Sequence, residues 1–270
     1  MMIPMLYEMT CFWGTPKRTI SGKTHRLGFP VIMALWILTL HLVYAQNIES
    51  YEQPPISYSI AQPRDRMALV QTRLTKGALK LTGSGKEIVH TLLGELGIPV
   101  ESQMLVFSKT SFQRDLIRPE RPRAIYFSDT CYVGWVPHGL VEITAIDPVL
   151  GPIFYRFNPN AAKKEFVRDG ECLSCHGGTF ARGIPGVFVR SVFADSGGEP
   201  LLRHGSEVVD FRTPFTNRWG GWYVTGKHGA ALHRGNLPVR EEKDVLIVDF
   251  KRGANRTNLS EFFDTQPYLN

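Results

Sequence analysis

Several features are scarce in this sequence, and each scarcity removes a class of protein. Four cysteines occur in 270 residues, at positions 11, 131, 172 and 175. That is too few for the disulfide-dense frameworks of small secreted domains. A hydrophobic fraction of 43% supplies a sizeable core without such staples. No internal repeat is present, which excludes a solenoid or propeller, and there is no low-complexity tract. No block of like charge stands out, so the usual signature of a nucleic-acid-binding arm is missing. Methionine is absent after Met104.

What is present begins with a leader. Lys17, Arg18, Lys23 and Arg26 precede an apolar run, LGFPVIMALWILTLHLVYA, from Leu27 to Ala45. The run closes on Val43-Tyr44-Ala45, small residues at −3 and −1, followed by Gln46. That is the pattern of a secretory signal peptide over 1–45, cleaved after Ala45, and it predicts a periplasmic or otherwise exported protein. The alternative is an uncleaved inner-membrane anchor, since the run is long enough to span, although Pro30, Thr39 and His41 interrupt it. The leader carries half of the formal net charge of +6. Its removal leaves Cys131, Cys172 and Cys175, an odd number, in an oxidising compartment, so a fully paired framework is excluded.

Residues 46–64 are polar and proline-dotted and read as a linker. Met67, Val70, Leu74, Ala78 and Leu81 recur at helical spacing, and Ile88, Leu92, Leu93 and Leu96 form the apolar face of a second helix. Between them TGSGKE resembles a phosphate-binding loop. Lys80 stands where its first glycine belongs and Glu87 where Ser or Thr belongs, so it reads as an interhelical turn. Residues 103–157 then alternate β-branched and aromatic runs with turn residues, which predicts an antiparallel meander of four or five strands. FNPNAAKKEFVRDGE reads as a short helix or turn. GVFVRSVFAD, GWYVTG and DVLIVDF read as further strands, and SEFFDTQPYLN as the start of a capped helix. The expected class is α+β: an N-terminal helical pair, a meander, and a loop-rich second half, together a single domain over 65–270.

The chemistry concentrates in ECLSCHGG, residues 171–178. Cys-x-x-Cys-His is the attachment pattern of c-type haem: both thiols add to vinyl groups, and the adjacent histidine supplies an axial nitrogen. Cys172 and Cys175 are thus candidate haem-binding residues and His176 the candidate proximal iron ligand, with one haem per chain. Gly177 and Gly178 would let backbone lie close to the ring. Three other chemistries use the same residues. A zinc site would join Cys172, Cys175 and His176 to one distant ligand, and His228 and His233 have the spacing of a second pair. A redox dithiol would want a strand–helix junction. A bare disulfide would leave His176 unexplained.

A sixth iron ligand cannot be a downstream methionine, and Met67 and Met104 belong to the helical pair and the start of the meander. The spacing predicts bis-His or five-coordinate iron, with His228 and His233 as the distal candidates and His204 behind them. Histidine in place of methionine lowers the reduction potential. Phe180, Phe188, Trp219 and Trp222 are candidate pocket walls, Arg182, Arg190, Arg212 and Arg218 candidate partners of haem carboxylates, and Cys131 a buried free thiol.

Three stretches, SQMLVFSKTSFQRDLIRPERPRAIYFSDTCYVGWVPHG, EFVRDGECLSCHGG and RWGGWYVTGKHG, resemble a family of exported bacterial proteins with one c-type haem motif, labelled only as cytochrome c domain-containing. The resemblance runs from about residue 65 to the end. It implies haem on Cys172 and Cys175 with His176 on the iron, and no known substrate. Arg234 stands where relatives often have methionine after the second histidine. Relatives also continue into a helical segment, so the resemblance implies a C-terminally truncated domain. The function expected is electron transfer with a redox partner protein, after haem insertion by the cytochrome c maturation machinery. A haem enzyme of peroxidase-like or oxidase-like type and a zinc-stabilised binding domain are the alternatives. Neither nucleic acid nor, once the leader is cleaved, a membrane is an expected partner.

Overall fold

A computed structural model describes residues Glu49–Asn270, which form one unit. The expected signal peptide over 1–45 and the first residues of the expected linker lie outside the described residues. Among those described, no helix is long and apolar enough to cross a membrane.

The helical pair forms where the periodicity placed it. Helix α1 spans Arg66–Thr75, and Asp65 caps it by accepting the Ala68 N–H. Helix α2 spans Gly85–Leu96 behind a capping box of Ser84 and Glu87, which is what TGSGKE encodes. Gly97, at φ 64, ends it in the left-handed conformation that a side chain disfavours. Ile88, Val89, Leu92, Leu93 and Leu96 are buried on one face.

The strands are β1 (Met104–Val106), β2 (Arg123–Phe127), β3 (Cys131–Trp135), β4 (Val141–Asp147), β5 (Gly151–Phe157), β6 (Phe166–Arg168), β7 (Val189–Val192), β8 (Ser206–Val209), β9 (Trp222–Tyr223), β10 (Arg240–Glu242) and β11 (Val245–Ile247). The first six form the antiparallel meander, and β9 adds to β1, giving the order β6-β5-β4-β3-β2-β1-β9. β7 pairs with β8 and β10 with β11 as separate hairpins. The protein is mixed helix and sheet, with sheet dominant.

The two faces of the large sheet have different tasks, because successive side chains point opposite ways. One face carries Tyr126, Val133, Trp135, Ile143 and Phe157, which share a core with Leu92, Leu96 and Met67 of the helices. Cys131 is fully buried there as a free thiol. The other face carries Gly134, Glu142 and Arg156, placed side by side by the register of β3, β4 and β5.

Four expectations change. Residues 49–64 are not a loose linker. Tyr58 is 3% exposed and donates its hydroxyl to the Pro152 carbonyl at 2.6 Å, so the prolines mark turns of a segment laid on β5. The stretch before the motif contains β6 rather than a helix, because Phe166 stacks on Phe157 at 4.8 Å and its N–H reaches the Gln71 side chain. The DVLIVDF strand shortens to β11, whose Val245 and Ile247 are exposed. Residues 260–270 form turns instead of a capped helix. Phe263 and Tyr268 are drawn into the core, and the Tyr268 hydroxyl bonds the Pro122 carbonyl at 2.7 Å.

Two of the stretches that carry the resemblance meet in space. The Gly221 carbonyl accepts the N–H groups of Phe107 and Ser108, at 2.9 and 3.1 Å. Gly221 sits at φ 82, and a Cβ there would lie 2.5 Å from the Ser108 hydroxyl, so the WGGW segment needs its glycine. Nearby, Glu199 ties the loop after β1 to the loop after β7 by accepting from Lys109 at 3.0 Å and Arg114 at 2.9 Å. The Lys109 hydrogen bond is the main reason its carboxyl is held below the usual range.

That shift gives a pH prediction. A depressed folded-state pKa stabilises above the ordinary glutamate value of about 4.3 and is lost as pH falls through the depressed value. The wild type should exceed Glu199→Gln in unfolding free energy from urea titration at neutral pH, by less than about 1 kcal/mol for so exposed a pair. The difference should vanish in acid and shrink with salt. A difference that persists unchanged in acid would show that the carboxylate charge is not what stabilises this loop.

Candidate functional site

The Cys-x-x-Cys-His turn is built outward from one buried carboxylate. Asp169 follows β6 directly and is 6% exposed. Its carboxylate accepts the Glu171 N–H at 3.0 Å, pairs with Arg156 Nε of β5 at 2.6 Å, and lies 3.4 Å from Cys172 Sγ, which donates to it. A single 3-10 turn, Gly170–Cys172, then runs into helix α3, Leu173–His176. Gly177 closes that turn with its N–H on the Leu173 carbonyl at 2.8 Å. A Cβ there would lie 3.0 Å from both the Leu173 carbonyl oxygen and the Tyr51 hydroxyl.

His176 is fixed by a reciprocal pair of bonds. The Gly186 N–H donates to the His176 carbonyl at 2.8 Å, and His176 Nδ1–H donates to the Gly186 carbonyl at 2.9 Å. A carbonyl can only accept, so Nδ1 carries the proton and Nε2 keeps its lone pair with no protein partner. A carbonyl on one ring nitrogen in this way fixes the tautomer and orientation that a metal-ligating imidazole needs. The ring lies between Phe154 at 4.8 Å and Phe188 at 4.9 Å. Burial pulls its pKa down and keeps it neutral.

Beneath the motif the sheet face alternates in charge. Arg123 and Glu142 form a half-buried ion pair, and the Arg123 guanidinium lies over Gly134, where a side chain would collide with it. Both act on His176, and Glu142 also acts on Cys172. The Cys172 thiol is pushed up to about 12, by burial first and then by Asp169. It is therefore a thiol at neutral pH, unlike the low-pKa thiolate of a redox dithiol. Cys175 is exposed, Cys172 is half-buried against Asp169, and the sulfurs are not bonded to each other. Among the described residues no three His, Cys, Asp or Glu side chains converge on a point that one metal ion could occupy. Zinc needs convergence. Haem attachment needs only the histidine aimed at iron and the sulfurs apart at the ring edge. The residues present fit a covalent haem on its proximal side.

The distal candidates are brought to each other rather than to the motif. His228 and His233 are 4.7 Å apart edge to face and both pack on Phe215, and no hydrogen bond or ring contact joins either to His176. His233 Nδ1 accepts the Gly235 N–H at 3.0 Å, which leaves the proton on Nε2. His228 Nε2 accepts the Asn255 N–H at 2.9 Å, which leaves the proton on Nδ1, buried without a partner. In this arrangement neither ring offers a free nitrogen. His204 Nε2 faces Glu241 at 3.4 Å.

Of the expected walls, Phe188 touches His176, Phe180 follows at 5.9 Å from Phe188, and Trp222 is buried with its N–H on the Arg190 carbonyl. Trp219 packs on Trp222 at 6.4 Å. Arg212 is paired with Asp210 at 2.6 Å, and Arg218 donates to the carbonyls of Thr213, Asp210 and Phe211. Asp169, Arg156, Phe154 and Gly186 were not singled out from sequence. Asp169 had a signal, an acid three residues before the first cysteine, where it can cap the turn. Arg156 and Phe154 look like ordinary strand residues. No family model, curated protein or solved structure matches the chain.

These hydrogen bonds fix three tautomers, which long-range ¹⁵N–¹H correlation spectra of the haem-free protein can read. The expected result is Nδ1–H for His176 and His228 and Nε2–H for His233. An Nε2–H tautomer at His176 would remove the free lone pair on which the site depends.

Proposed function

We propose that this chain is an exported c-type haem protein that transfers electrons. Cys172 and Cys175 would hold one haem by thioethers, and His176 Nε2 would be its proximal iron ligand. The observation that carries this reading is the His176–Gly186 exchange, which turns a free imidazole lone pair outward one residue from Cys175. When bound, the haem supplies a one-electron iron couple. The chain's own part is positional. Gly186 holds the tautomer, Phe154 and Phe188 keep water from the ring faces of His176, and Asp169 keeps Cys172 at the start of the turn as an uncharged thiol. Thioether formation then removes a buried ionisable group while Asp169 keeps Arg156. The resemblance to exported cytochrome c domain-containing proteins supports the same cofactor. So does the leader, with cleavage after Ala45 and inner-membrane retention as its alternative. The scaffold would be an α+β one with a helical pair, a meander and a loop-rich haem-binding half, not the small all-helical cytochrome c fold. A redox partner protein and the maturation machinery are the implied partners.

A second reading, a haem-dependent peroxidase-like or oxidase-like enzyme, is favoured by one observation: His228 and His233 both spend their acceptor nitrogens on backbone N–H groups. No methionine follows Met104, and neither of these two histidines would have a spare nitrogen for a sixth position if iron were bound. The zinc-stabilised alternative draws no support from the described residues, where no three potential metal ligands come together.

Both readings are tested on protein matured with a cytochrome c assembly system. The wild type should give a reduced c-type absorption spectrum, and Cys172→Ala with Cys175→Ala should lose it. Colourless wild-type protein holding stoichiometric zinc would contradict the proposal. If the enzyme reading holds, His228→Ala and His233→Ala leave the iron spin state unchanged and carbon monoxide binds the ferrous wild type. Conversion of low-spin to high-spin iron by either replacement would instead assign that histidine as the sixth ligand and favour electron transfer.

A further inference from the structure

Of Arg182, Arg190, Arg212 and Arg218, only Arg190 is held through its Nε while both terminal guanidinium nitrogens are left without a partner among the described residues. It sits on β7, where its Nε donates to the Ser206 hydroxyl at 2.7 Å and its carbonyl accepts the Trp222 indole N–H at 2.7 Å. Its guanidinium carbon lies over Phe180, 4.6 Å from the ring centre. Among the described residues no carboxylate pairs with it, and its two terminal nitrogens have no acceptor. A half-buried guanidinium with two free nitrogens is open to an anion that can accept from both. Burial lowers its pKa, and Cys175 is close enough to act against that shift. The other arginines in the same half do not share this state: Arg212 has Asp210, Arg218 has three carbonyls, and Arg182 is exposed with no side-chain partner.

A second, independent feature surrounds it. The loop between α3 and β7 leaves Phe180, Ile184 and Val187 exposed by 40%, 55% and 43%. Through Phe180 and Phe188 this apolar surface runs without a break from Arg190 to His176. A flat apolar group anchored at Cys175 would cover it, and the carboxylates at that group's edge would need a cation at its border.

We infer that Arg190 binds a carboxylate of the haem carried on Cys172 and Cys175, through its two unpartnered guanidinium nitrogens. This rests on the haem reading above. A guanidinium fork matches a carboxylate in two parallel hydrogen bonds, which the point charge of a lysine cannot reproduce. The same chemistry could come from an acidic side chain of a docked protein, and the test separates the two sources.

The matured wild type is compared with Arg190→Gln, Arg190→Lys and Arg212→Gln by spectroelectrochemical titration and by the propionate bending modes in resonance Raman spectra. Loss of the cation leaves the haem carboxylate unbalanced and favours ferric iron. Arg190→Gln should therefore lower the reduction potential and shift a propionate mode. Arg190→Lys should recover part of the potential but not the mode, and Arg212→Gln should change neither. An Arg190→Gln protein with wild-type potential and modes would overturn the assignment and give Arg190 to a partner's carboxylate. If Arg190→Gln fails to fold, Arg190→Lys decides: a wild-type propionate mode there overturns the inference. A wild type that carries no haem fails the earlier reading and this one with it. A normal haem spectrum with indifferent Arg190 variants fails this one alone.

Discussion

The carboxylate of Asp169 is where the ordered half of the molecule and the loop-rich half are joined. Arg156 of β5 fixes it on one side, the Glu171 N–H and the Cys172 thiol on the other. It is nearly inaccessible, so its charge has to be met by these partners. If Asp169 were absent, Arg156 would lose its buried counter-charge, the turn its cap and Cys172 its acceptor, all at once. The position of Cys172, and through one helical turn that of His176, thus derives from Arg156, a strand residue sixteen places before Cys172.

That dependence explains why the sheet is dressed differently on its two faces. The face toward α1 and α2 is closed by apolar packing and anchors the fold. The face toward the motif holds Arg123, Glu142 and Arg156 around Gly134, where only a residue without a side chain lets Arg123 lie across the strand. Phe154 projects from the same face to support His176. A rigid antiparallel sheet is a good platform for this, since a site held on regular elements keeps its geometry better than one made of loops alone. The motif's short helix has no stability of its own at four residues and borrows it from the sheet below and Gly186 beside it.

Much of this was legible in the sequence where local physics decides. The helical pair followed from apolar spacing and the Ser84–Glu87 cap, and the meander from alternating runs between turn residues. The candidate site was legible as a Cys-x-x-Cys-His pattern, and the fold holds Cys172, Cys175 and His176 on one 3-10 turn and the short helix that follows it. What was not legible depends on distant partners. β6 and β9 have three and two residues and exist through their pairing with β5 and β1. The last residues carry a cap-like serine but follow Phe263 and Tyr268 into the core. His228 and His233 have ligand-like spacing, yet backbone N–H donors from Asn255 and Gly235 occupy the acceptor nitrogen of each ring. Arg212 has Asp210 two residues before it and Arg190 has no acid at that spacing, but only the folded turn shows that Asp210 and Arg212 pair.

The central claim is covalent haem on this one turn, and the peptide that carries the turn tests it. Trypsin cleaves after Arg168 and Arg182 and releases residues 169–182 with Cys172, Cys175 and His176 together. From protein matured by the cytochrome c machinery, that peptide should carry the mass of one haem, with both cysteines resistant to alkylation. A peptide at its bare polypeptide mass, with both thiols alkylated, would contradict the account.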